Sequence, residues 1–316
     1  MMALAKRILK VVLPALILLF LARSIYTNWQ EIRTYPWQFN FPLMALAALF
    51  GVSWFFLRTW IWWQLVREMH EHVPYWPAFR VFMISEVARY VPGKIWQYVS
   101  RIYLAEKYKI PPALTLTSAL VELMMMMVAA GAIALANASR ILPALQEQYR
   151  PLLVLALLVA LALVHPKSLK MWSKLLAKFL KQEWVPFDVR YSHVVMILLA
   201  SLLTWTLTGI GFSLFVRSLT DAGDGHTVQL ITIYAASWLI GLLAIVVPAG
   251  VGVREGTMTF LLAALMPHPT AAVLAIAARL WVTLLEVALL AAARIFIPGP
   301  APSELAPIPA NPPKNT

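Results

Sequence analysis

The chain has 316 residues, 61% apolar and 13% charged, whereas soluble globular domains average about 45–50% apolar and about 25% charged, so an ordinary soluble enzyme is excluded. Lys and Arg number 26 against 14 Asp and Glu, a net charge of +12, but the basic residues lie between long apolar stretches, which points to membrane headgroups and not to nucleic acid. Cysteine is absent, which removes disulfides, thiolate catalysis and Cys-ligated zinc.

A helix crossing the hydrocarbon needs roughly 20 mostly apolar residues. Seven stretches approach that length: 8–26, 41–63, 112–136, 151–164, 194–216, 228–247 and 270–297. Lys6, Arg7 and Lys10 precede the first, but no small-residue cleavage site follows before Arg23, so it reads as a retained span. The fourth is short and starts in the interface or thins the bilayer. Lys and Arg in the connections divide fourteen to four in favour of a cytoplasmic amino terminus. The four are Arg33, Arg140, Arg150 and Arg217; the fourteen include Arg80 and Arg101. The division holds only if residues 81–100 enter and leave on one side, as a re-entrant segment. From Pro166 to Arg190, Lys167, Lys170, Lys174, Lys178 and Lys181 recur every three or four residues, opposite Leu169, Trp172, Leu176, Phe179 and Leu180. That pattern predicts an amphipathic helix on the cytoplasmic leaflet, anchoring a linker between two halves. The Pro-rich residues 298–316 read as a disordered tail.

Two places combine helix breakers with charge inside apolar territory. Glu86-Val-Ala-Arg89-Tyr90-Val-Pro92-Gly93-Lys94-Ile-Trp96 is the first, and Pro248-Ala-Gly250-Val-Gly252-Val-Arg254-Glu255-Gly256 is the second. Pro and Gly stop one helix and a second starts beside a basic residue. A helix start offers unpaired N–H groups and the positive end of the dipole, both suited to an anion. Unwound backbone at membrane depth must line protein or water, so both breaks are expected at a cavity.

Glu122 follows Pro92 by 30 residues and Arg279 follows Pro248 by 31, a weak internal repeat. With all seven stretches crossing, the two halves share one orientation; an inverted repeat needs one crossing to be wrong, and residues 257–266 are the place most open to that error. Charges inside the bilayer, each costing roughly 2.5–3.5 kcal/mol, face a partner or a wet cavity. Arg279 shares a helix face with Glu286, so it is either neutralised there or reaches Glu122. Arg58, beside Trp60, Trp62 and Trp63, reads as snorkelling to the interface. Glu86, Glu122 and Glu286 are the carboxylates able to carry protons. Met124 to Met127 point in all directions on a helix, and His70 and His72 lack the spacing of a zinc helix, so no metal or other cofactor is expected. No nucleophile with its base is recognisable, so the chain does not read as an enzyme.

The fold class that follows is all-α, a polytopic membrane helix bundle of about 7–8 spans with two broken or re-entrant segments. Residues 1–297 form the membrane domain, with halves at about 8–136 and about 191–297 joined by a connector at about 137–190.

The two motifs, in this order and with Glu122 between them and Arg279 after them, resemble the lysylphosphatidylglycerol synthase transmembrane-region family, also called flippase-like. The resemblance runs from about residue 8 to 297. It implies a multi-pass protein of the bacterial inner membrane, similar to the domain that moves aminoacylated phosphatidylglycerol between leaflets. It also implies a member without the soluble synthase, so without lysyl-transfer chemistry. The expected partner is an anionic or aminoacylated phospholipid or another phosphate-bearing lipid, with Lys94 and Arg254 on the phosphate. Arg89, Glu122, Glu255 and Arg279 complete the expected binding set, and Pro92, Gly93, Pro248, Gly250 and Gly252 make the breaks. Two functions remain: a lipid translocase, or an accessory subunit presenting lipid to an enzyme of envelope-lipid or glycan synthesis. A homo-oligomer is compatible with either.

Overall fold

Prolines and one asparagine set where three of the four long helices begin. In the computed structural model, which describes residues 23–68 in part, 73–90, 95–138, 151–180 in part, 189–244 and 250–298, ten helices follow one another and no strand occurs among the described residues. The span at 8–26 lies almost wholly outside the described residues, as do His70, His72, Pro92, Gly93, Lys94, Arg140, Arg150, Lys181, Pro248 and the tail from 299. After a short α1 (Trp29–Thr34), α2 (Phe41–Arg67) starts with the Asn40 side chain accepting the Leu43 N–H at 3.1 Å and Pro42 in its first turn. Then come α3 (Tyr75–Val87), α4 (Trp96–Glu106) and α5 (Pro112–Ala136), and next α6 (Pro166–Leu180) and α7 (Tyr191–Leu219). The chain closes with α8 (Thr227–Leu243), α9 (Val253–Leu262) and α10 (His268–Phe296). Helices α2, α5, α7 and α10 are long and apolar enough to cross a membrane. Their outward residues, such as Leu49, Leu199, Leu203, Leu280 and Leu284, remain exposed apolar surface for lipid. On α6, Lys167, Lys170, Lys174 and Lys178 are exposed while Leu169 is buried.

Contacts fix the directions. Gln38 and Asn40, before α2, donate to the carbonyls of Leu219 and Ser218 at the end of α7, and Glu68 after α2 meets His193 at the start of α7. Helices α2 and α7 are therefore antiparallel. Trp62 donates to Ser118, and Trp205, packed on Trp54, donates to the Met126 carbonyl, so α5 also runs against α2. Gly51 of α2 lies against Trp281 and Leu285, and further along α10 the Ile297 carbonyl accepts from Arg80 of α3, so α10 runs with α2.

An inverted order results. One unit is α2, the short pair α3 and α4, and α5; the other is α7, the short pair α8 and α9, and α10, each opening in the opposite direction to its counterpart. This corrects the shared orientation of the sequence reading. Over residues 228–262 the structure has α8, 17 residues, and then α9, ten residues or about 15 Å of helix, with Gly250 set against Gly241.

The two units meet through small residues on α2 and α7. A Cβ on Gly211 would stand 2.9 Å from the Phe50 Cβ and 3.1 Å from the Ala47 carbonyl oxygen. Close backbone approach of this kind holds membrane helices together where no hydrophobic drive exists between them. Gly211→Val is expected to lower stability by about 1–3 kcal/mol through overpacking, read as a drop in the melting temperature of purified protein. Gly131→Ala, whose added carbon meets only Leu239 at 3.8 Å, is expected to leave it unchanged.

Candidate functional site

Four helices of the first unit each bring one charge to a common point. Arg58 on α2 donates to Glu122 at 2.7 Å and to Glu86 at 3.3 Å. Arg101 on α4 donates to the other Glu86 oxygen at 3.0 Å and approaches Glu122 to 3.7 Å. All four are buried, and the guanidiniums stack on rings, Arg101 at 4.2 Å from the Phe82 centroid and Arg58 at 5.2 Å from that of Trp54. Buried charges persist only when paired and hydrogen-bonded, and each arginine here faces both carboxylates.

The first break ties this cluster to the second unit. Arg89, in the turn Ala88–Tyr90, donates to Glu86 at 2.8 Å and to Glu286 on α10, and the Tyr90 hydroxyl donates to Glu286 at 2.8 Å. Arg58, Arg89 and Arg101 thus balance Glu86, Glu122 and Glu286.

The second break is built on glycine. Gly250 has φ +66° and lies so close to α8 that a Cβ would come within 2.6 Å of the Gly241 carbonyl oxygen. Gly252, with φ +84°, starts α9, and its N–H donates to the Glu255 carboxylate at 2.6 Å. The other Glu255 oxygen lies 3.5 Å from Arg279 on α10. Arg254 has no carboxylate or hydrogen-bond partner for its side chain among the described residues; its guanidinium rests over the Tyr234 ring at 4.9 Å. With Glu286 of α10 turned to Arg89, Arg254 and Arg279 have one carboxylate, Glu255, between them among the described residues around this break.

A cavity of about 370 Å³ opens between the units. Arg89, Tyr90, Gln97 and Tyr98 reach it from around the first break, Gly241 and Arg254 from around the second, and Arg58, Glu86 and Arg279 from the adjoining helices. Leu120, Leu123, Met127, Leu242 and Val282 make an apolar wall. Its volume lies near the lower end of the roughly 300–1,000 Å³ of ligand pockets.

A family model described as "Lysylphosphatidylglycerol synthase TM region" matches residues 7–290. The chain belongs to this family. No curated protein and no solved structure matches it. Membership makes this a multi-pass membrane protein of lipid-related function, so the cavity between the breaks of this lysylphosphatidylglycerol synthase TM-region protein is the natural place to look for that function.

Of the expected binding residues, the structure brings Arg89, Arg254 and Arg279 to one cavity. Lys94, like the centres of both breaks, lies outside the described residues. Glu122 pairs with Arg58 and Arg101 and is not among the residues lining the cavity. Glu255 caps α9 and pairs with Arg279, while the ion pair of Glu286 is with Arg89. Arg58 does not snorkel: it is 6% exposed and pairs inward. Arg101, read as a loop cation, is 1% exposed within α4. The signal for both was arithmetic, because Glu86 and Glu122 in apolar surroundings demand two cations.

Proposed function

We propose that the protein moves a phosphate-bearing lipid headgroup between leaflets of the bacterial inner membrane, with its amino terminus cytoplasmic and no covalent step. The observation that carries this reading is the cavity bounded by both chain breaks, where Arg254 and Arg279 leave positive charge uncompensated. In this reading α3 with α4, and α8 with α9, are re-entrant pairs, each too short to cross. The α9 start at Gly252 adds N–H groups and a positive dipole end to Arg254. Lys94, outside the described residues, is the second cation expected for the same anion. Apolar residues on the cavity's other side guide the acyl chains, which stay in the bilayer. The inverted order of the two units supports alternating exposure, as units of opposite direction rock about a central site.

The test is reconstitution into sealed liposomes containing fluorescently tagged phosphatidylglycerol, bleached from outside by a membrane-impermeant reductant. Bleaching beyond the outer leaflet, faster than in protein-free liposomes, is the expected result. Retained lipid binding with no movement would favour the accessory subunit that presents lipid to a biosynthetic enzyme.

A further inference from the structure

Resting on the headgroup site proposed above, we infer that the cavity selects an anionic, amine-free headgroup and rejects aminoacylated, ethanolamine and choline headgroups. A headgroup ammonium needs a free carboxylate or an open cage of aromatic faces. Glu86 is the carboxylate among the described cavity-lining residues, and both its oxygens are occupied, one by Arg101 and the other by Arg58 and Arg89. Glu122 is held by two arginines behind the wall. Glu286 spends one oxygen on Arg89 and Tyr90, and its other, though unpartnered, is buried in a residue outside the cavity lining. Glu255 likewise lies outside that lining, with one oxygen on the Gly252 N–H and the other turned to Arg279.

The rings are engaged as well. Tyr90 carries Arg89 at 5.1 Å and Arg279 at 6.0 Å, and Tyr234 carries Arg254 at 4.9 Å. Trp238 packs its ring against Trp54 and Trp205. Tyr98 remains at the wall, and one ring makes no cage.

Charge balance gives the sign. Across both units five arginines (58, 89, 101, 254 and 279) face four glutamates (86, 122, 255 and 286), one positive charge in excess among the described residues. A phosphodiester supplies a negative charge against that excess. A lysyl ester adds two ammonium groups to that phosphate and turns the headgroup cationic, placing like charges together in a weakly screened cavity.

The test is competitive binding to the purified full chain in detergent, read by native mass spectrometry. The probes are short-chain phosphatidylglycerol, its lysyl ester, phosphatidylethanolamine with the same chains, and soluble glycerol phosphate. Phosphatidylglycerol is expected to bind at least about tenfold tighter than either amine-bearing lipid, a difference of about 1.4 kcal/mol. Arg254→Ala is expected to shrink that ratio toward one. Glycerol phosphate displacing the lipid places recognition in the headgroup; a bound lipid that it leaves in place overturns the cavity as the selecting element. Equal or tighter binding of the lysyl ester or of phosphatidylethanolamine overturns the inference, as does the absence of any lipid binding. Selective binding of phosphatidylglycerol without its movement in liposomes sinks the translocase reading and leaves this one standing.

Discussion

Glu86→Gln is expected to destabilise the folded protein by about 3–5 kcal/mol, the largest effect of any single charge change in the network. Three guanidiniums converge on this one carboxylate, with N to O distances of 2.8 Å for Arg89, 3.0 Å for Arg101 and 3.3 Å for Arg58. The amide keeps the volume and removes the charge, so three buried cations are left with Glu122 and Glu286. Desolvation of the unpaired cation then goes unanswered in surroundings lined by Trp54, Trp62 and Phe82. Restoring neutrality should restore stability. Adding Arg101→Met to Glu86→Gln leaves Arg58 with Glu122 and Arg89 with Glu286, and the double variant is expected to be more stable than Glu86→Gln alone. The coupling is measured as a double-mutant cycle on melting of the purified protein. A Glu86→Gln protein that melts with the parent would show that the cluster does not hold the first unit together.

Much of this fold was legible because bilayer thickness is a strict ruler. The stretches at 41–63, 112–136, 194–216 and 270–297 became α2, α5, α7 and α10, since about 20 apolar residues have few other uses. The breaks were legible because Pro and Gly act locally, and Gly250 and Gly252 do adopt left-handed backbone. What composition left open was the path of residues 228–266. Composition reports that a segment lies in hydrocarbon but not whether it goes through, and a half-crossing helix is as apolar as a full one. The inverted direction of the repeat came instead from the contacts that orient α5, α7 and α10 against α2. Ion partners failed for a related reason. Arg58 could be placed beside tryptophans in sequence, but its carboxylates come from α3 and α5, 28 and 64 residues away. Such pairings exist only once the helices have packed.

Arg254→Ala is expected to slow phosphatidylglycerol movement in liposomes by roughly 10–100-fold, the loss of one or two charge-assisted hydrogen bonds to phosphate at about 1.5–3 kcal/mol in total. Melting is expected to stay near that of the parent. The reason is an asymmetry between the two breaks: Arg58, Arg89 and Arg101 each have a carboxylate, whereas Arg254 leaves none unpaired when it is removed and gives up its contact with the Tyr234 ring. Arg279→Ala should behave differently, because Glu255 then keeps only the Gly252 N–H at 2.6 Å and loses its cation at 3.5 Å, so both transport and stability fall. Arg254→Lys is expected to recover part of the rate, since a lysine supplies the charge but not the planar fork that grips two phosphate oxygens. In rate, the parent is therefore fastest, Arg254→Lys intermediate and Arg254→Ala slowest, with all three melting alike. A rate unaffected by Arg254→Ala would remove the phosphate from this arginine. A melting temperature that fell with the rate would make Arg254 a part of the scaffold and not of the site.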